Sequence, residues 1–287
     1  MPIKTILQPI RESDTHRELM ETGVLAARRF NAHLDLLYVH PNPDELLPYA
    51  TLGLSNGMKA SVRESAIKAA EEQAGRLRAE FEGVCEKHGL PLRARGETPG
   101  QPSAAWNAES GIRNELIGRL GRLADVIIMP RPQKVSPPPQ SFEAAVRESG
   151  RPVLIVPRKT VQSVLATRIA IGWNNSKEAA QAVAAARPCL QQAEAVTVLV
   201  TEKRASRRPS AQELVTYLKC HGVDATINLL DVRKQSVGEA LLAHARDINT
   251  DLLVVGGYSR NRLRDMVMGG VTRHLLQNAD LPVLLVH

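Results

Sequence analysis

Aromatic residues are scarce in this chain. Phe, Tyr and Trp supply 3% of 287 residues, so a core has to be built from Val, Leu, Ile and Ala. Cysteine is scarcer still. Cys85, Cys189 and Cys220 are odd in number and have no Cys-x-x-Cys spacing, which argues against a disulfide framework and against a zinc site. No apolar run approaches the roughly 20 residues that a membrane helix needs. The first seven residues lack the long apolar stretch and small-residue cleavage site of a signal peptide. A cytoplasmic protein is the simplest expectation. Catalytic signatures are missing too: there is no Gly-x-Ser-x-Gly elbow, no HExxH and no GxxxxGK[ST] loop.

What is present is ordinary globular composition, with 43% hydrophobic and 23% charged residues, and enough length for one or two domains. The net charge is +7, which raises the question of nucleic acid. Most basic residues are interleaved with Glu and Ala in helical stretches, and the tight cluster at residues 203–208 comes with no recognition-helix, zinc-finger or aromatic-stacking signature. Nucleic-acid binding is therefore not expected, and a solvated basic surface is.

The hydrophobic pattern alternates short apolar runs with amphipathic stretches. Runs at residues 4–10, 34–39, 125–129 and 152–156 read as buried strands, and residues 92–95 as a weak one. Helices are expected from the turn at residues 11–14 to about 31, from about 59 to 87, from about 103 to 123, and from 142 to 149. Residues 157–167 have linker composition. The pattern then restarts, with strands at 168–171, 195–201, 224–230, 251–256 and 281–287. Between them lie helices at 177–190, 210–221 and 236–248, the last opened by Ser236 with Glu239 at capping-box spacing. A final helix enters at residues 269–276. Strands alternating with helices mean α/β with a mostly parallel sheet.

The second half repeats the first. Residues 124–129 parallel 250–255, and 151–156 parallel 281–286. The copies differ where function would sit. After its fourth strand the second copy has Gly256, Gly257, Gly269 and Gly270. The first copy has a shorter, proline-rich loop at 130–139 with no glycine, and prolines remove the N–H donors that an anion needs. Strand, glycine-punctuated loop and helix start together aim backbone N–H groups at an anion beyond the strand's carboxyl end.

These residues resemble the universal stress protein family, arranged as a tandem. The resemblance covers nearly the whole chain and implies two doubly wound, five-stranded, mostly parallel α/β domains of the Rossmann-like, adenine nucleotide α-hydrolase-like type, at residues 1–157 and 168–287. Nucleotide-binding members carry Gly-x-x-Gly, nine residues, then Gly-[Ser/Thr]. That frame falls on Gly256, Ser259, Gly269 and Gly270, so the first and third glycines match while the second and the hydroxyl position do not. Thr272 matches a second hydroxyl frequent in such motifs. The resemblance further implies a ribose contact at the end of the first strand, where Asn174 stands in place of Asp and Arg11 in the first copy. It implies an adenine contact through the backbone near Val200. Together these nominate Asn174, Val200, Gly256, Gly257, Ser259, Arg260, Gly269, Gly270, Val271 and Thr272 for ATP or another adenine nucleotide, with or without magnesium. No residue is nominated as catalytic or metal-ligating, and at most such a site hydrolyses ATP slowly. The family pairs through its last strands, so residues 153–156 and 283–286 are expected to join the copies as an internal pseudo-dimer, with a homodimer as a further option.

Plainer readings stand beside these. The glycines serve equally for a tight turn and close helix–sheet packing. Arg260, Arg262 and Arg264 serve as a solvated loop, and Asn174, Asn175 and Ser176 as a turn and helix cap. Trp106 and Trp173 read as packing residues. The sequence thus supports a nucleotide-binding stress-response module, a scaffold with both sites dead, or a weak ATPase.

Overall fold

Each short apolar run becomes a strand buried on both faces. The computed structural model describes residues 2–40, 55–133, 135, 138–159, 161, 165–257 and 269–287. In the first half, β1 (Thr5–Ile10), β2 (His33–His40), β3 (Ser103–Ser110), β4 (Val126–Pro130) and β5 (Val153–Val156) alternate with α1 (His16–Phe30), α2 (Asn56–Lys87), α3 (Arg113–Gly121) and α4 (Gln140–Arg147). The second half repeats this with β6 (Arg168–Gly172), β7 (Ala195–Thr201), β8 (Thr226–Leu230), β9 (Leu252–Gly256) and β10 (Val283–Val286). Its helices are α5 (Lys177–Leu190), α6 (Ala211–Cys220), α7 (Val237–Asp247) and α8 (Gly270–Asn278), with a helical turn at Glu202–Ala205.

All ten strands form one sheet in the order β3-β2-β1-β4-β5-β10-β9-β6-β7-β8. Neighbours are parallel within each half, whereas β5 and β10 are antiparallel, with Leu284 opposite Leu154. Alternating residues of each strand feed two apolar layers. Ile6, Ile128, Ile171 and Val254 face one, with α1, α2, α5 and α6 over it. Leu7, Ile127, Ala170 and Leu253 face the other, under α3, α4, α7 and α8. Helices on both faces explain why the strands read as continuous rather than alternating apolar runs.

Three expectations need correction. Residues 103–110 are strand rather than helix. Their alanines favour a helix in isolation, but an eight-residue parallel ladder with β2 overrides that propensity, and Trp106 stacks on Tyr38 with ring centroids 5.8 Å apart. Residues 92–95 contribute a bridge between Leu92 and Ala104 instead of a strand. At α1 the capping position is Thr15, without a side-chain bond, rather than the residues of the preceding turn. Of the 157–167 segment, Leu165 and Ala166 are buried, and their carbonyls accept Arg29 Nε and Nη2 at 3.2 and 3.3 Å.

Candidate functional site

In the second half the strand order reverses between β6 and β9, and a cleft of about 330 Å³ opens at the carboxyl ends of these strands. This is where ligands enter open α/β sheets. Its floor is Gly172 and Val255, its walls Leu199, Thr201 and Leu230, and one side is the first two turns of α7, through Val237 and Leu241. Ser236 fixes that helix start with a reciprocal capping box to Glu239.

The glycines divide into two pairs. A Cβ on Gly256 would lie 2.3 Å from the Ala179 nitrogen and 2.4 Å from the Glu178 carbonyl carbon, both backbone atoms of α5. One on Gly257 would meet Leu285 Cδ1 at 2.5 Å. Gly256 is demanded by packing against backbone, whereas a side chain at Gly257 would displace the end of Leu285. Gly269 and Gly270 have no atom of the described residues within 4 Å of where a Cβ would stand, so no packing among the described residues requires them to be bare. Gly269 is the N-cap of α8 and gives it no side-chain cap, and the first turn holds no acidic residue. The other three long helices of this half are all capped by serines, Ser176, Ser210 and Ser236. A bare helix start at a cleft leaves donors and the positive end of the helix dipole facing whatever enters.

Of the nominated residues, Asn174, Gly256, Gly257, Gly269, Gly270, Val271 and Thr272 line this one cleft. The Val200 side chain is buried in the opposite apolar layer, while its neighbours Leu199 and Thr201 line the cleft at the strand end where a backbone contact was expected. Ser259 and Arg260, with Arg262 and Arg264, lie outside the described residues. Asn174 is partly engaged, since its Oδ1 accepts the Ser176 N–H at 3.1 Å. Asn175 takes a left-handed φ of 66°, which Asn tolerates, and its Nδ2 donates to Arg207 O at 2.7 Å. Trp173 packs in the core and also reaches the cleft, with Nε1 donating to Pro209 O at 3.2 Å.

Two charged lining residues escaped the sequence reading. Arg204 belongs to the cluster taken as solvated surface. It stands at the rim and donates Nη1 to the Asn174 carbonyl at 2.5 Å, tying the end of β7 to the turn after β6. Glu178, 4% exposed, lines the cleft from the first turn of α5, with Lys177 Nζ 3.7 Å from its carboxylate. The only available signal was its place two residues after the capping serine.

Residues 166–287 match the model of the universal stress protein family. The C-terminal half of the chain belongs to that family. This universal stress domain is also similar to the stress response protein NhaX of Bacillus subtilis (strain 168), 33% identical over 57 residues that span 20% of this chain and 34% of that relative. Over the whole chain, a universal stress protein from Archaeoglobus fulgidus DSM 4304 superposes with a TM-score of 0.71 at 15% identity, covering 98% of this chain and 97% of that one. A protein of unknown function from Pseudomonas aeruginosa PAO1 gives 0.54 at 15% identity, covering 99% and 92%. These likenesses extend the shared fold to the N-terminal half. No described helix is long and apolar enough to cross a membrane.

Proposed function

We propose that the C-terminal cleft binds an adenine nucleotide, and that the protein acts as a nucleotide-responsive stress or signalling module. One observation carries this reading: Gly269 and Gly270, bare without any packing need among the described residues, start a helix with no side-chain cap at the sheet's switch point. The phosphates would lie over the first turn of α8, within reach of the Thr272 hydroxyl and the Arg204 guanidinium. The nucleoside would lie between Leu199, Thr201 and Leu230. Asn174 keeps hydrogen-bonding capacity for a ribose hydroxyl, and Glu178 supplies the carboxylate that Asn174 lacks. The two halves, joined through β5 and β10, act as an internal pseudo-dimer with domains at about 1–157 and 168–287.

The competing reading is a scaffold without a ligand. It draws on Gly256, which packing against α5 requires whether or not a nucleotide binds. Thermal melting with ATP and magnesium separates the two. At ligand a hundredfold above its dissociation constant, a native-state site adds about 2.7 kcal/mol of stability, seen as a raised Tm. A Tm indifferent to ATP, ADP and AMP favours the scaffold. Phosphate release measured alongside reports any hydrolysis.

A further inference from the structure

The first half has a cleft in the matching place, at the carboxyl ends of β1 and β4, where its own strand order reverses. Its chemistry is different. Among the described residues no glycine lines it, and Pro9, Pro130, Pro132 and Pro139 do, none of which offers an N–H. In place of backbone donors stand the side chains of Arg11, Arg113 and Arg158, with the hydroxyl residues Ser13, Thr15 and Ser141.

These arginines have no carboxylate opposite them among the described residues. Arg113, at the start of α3, donates Nη1 to the Ile10 carbonyl at 2.8 Å. Arg158, beyond β5, donates Nε to the Arg131 carbonyl at 2.7 Å. The neighbouring acid Glu12 is turned to α2, where it accepts from Gln73 Nε2 and lies 3.9 Å from Arg76. Burial pushes the Arg113 guanidinium down to about 10, and repulsion from Arg11 adds to it. Arg158 is lowered by burial first, then by Arg11 and Arg131. Arg113 and Arg158 are half-buried and Arg11 is exposed at the mouth, and like charges drawn together there raise the free energy of the empty site. An anion among them reverses that, and forked guanidinium donors match the oxygens of a phosphate.

We propose that this cleft is a second anion site, built for a phosphate group that is either free or carried on a small ester, and read by Arg11, Arg113 and Arg158. The start of α4, with Pro139 as N-cap and no side-chain cap, lies on the same side, its positive end partly offset by Glu143 in the first turn. The volume is about 170 Å³ against about 330 Å³ in the other half, which suits a phosphate with a small attachment better than a nucleoside triphosphate. The proposal stands independently of what the C-terminal cleft binds.

The test is calorimetric titration of the full chain, at constant ionic strength, with inorganic phosphate and separately with ribose 5-phosphate. Saturable binding of either one is expected, and which of them binds more tightly tells free phosphate from ester. Measured in a Gly269→Val background, which removes any phosphate held at the start of α8, binding should persist and should weaken at least tenfold when Arg11→Ala or Arg158→Met is added. Arg158→Lys, which keeps the charge and loses the fork, should fall between Arg158→Met and the parent and guards against a folding defect in the methionine variant. Absence of saturable binding to both ligands overturns the proposal. So does binding that Gly269→Val abolishes while the arginine variants retain it.

Discussion

At the scale of single residues, the two glycine pairs make opposite predictions. Gly256→Ala forces a methyl into the backbone of α5, a form of overpacking that costs about 1–3 kcal/mol, and its Tm should fall. Gly269→Val meets no atom of the described residues, so its Tm should hold while nucleotide binding is lost. Equal destabilisation by both changes would mean that the glycines are all structural. Another residue-scale prediction concerns Asp35. Burial alone would raise its carboxyl, but the His33 hydrogen bond and the Arg95 guanidinium outweigh that and hold it below the usual carboxylate range. A lowered native pKa contributes stability above the unfolded carboxylate's titration, and that contribution is lost as pH falls through the native value. Asp35→Asn should therefore flatten the acid limb of a stability–pH profile, and an unchanged limb would show that Asp35 contributes nothing to it. The glycine spacing was legible in the sequence because turns and helix starts are local. Arg204 and Glu178 were not, since only the folding of β7 and α5 around the switch point brings them to the cleft.

At the scale of elements, α7 forms one wall of the cleft and hangs on its capping box. Ser236→Ala should cost about 1 kcal/mol in denaturant unfolding; a loss indistinguishable from zero would mean the cap is dispensable. The last strand makes a sharper prediction. In the full chain, β5 covers one edge of β10. Residues 165–287 expressed alone would expose that edge, and unpaired edges recruit partners. The piece should sediment as a dimer; a stable monomer would contradict the pairing's role. Most elements were legible because buried parallel strands read as unbroken runs of Val, Leu and Ile. The strand β3 was not, because Ala104, Ala105 and Ala108 carry a helical preference that is overruled only by the ladder to β2, far away in sequence.

At the scale of the whole molecule, both apolar layers run through the two halves without a break. Arg29 ties α1 to Leu165, Ala166 and Gln192, and Arg131 donates to Gln277 O. The halves should thus unfold in one calorimetric transition, and Leu154→Ala at the junction should lower that single transition by about 2–5 kcal/mol. Two transitions in the parent chain would show the halves to be independent. The repeat was legible as an echo of strand sequences; the single ten-stranded sheet was not, because its central antiparallel pair joins residues from opposite copies. If one half offers a bare helix start to a nucleotide, calorimetric titration of nucleotide-free protein with ATP and magnesium should show one saturable site. Its dissociation constant should lie near micromolar, roughly −8 kcal/mol, with binding abolished by Gly269→Val and kept in Arg11→Ala. Absence of saturable binding, or binding that survives Gly269→Val, would contradict that reading.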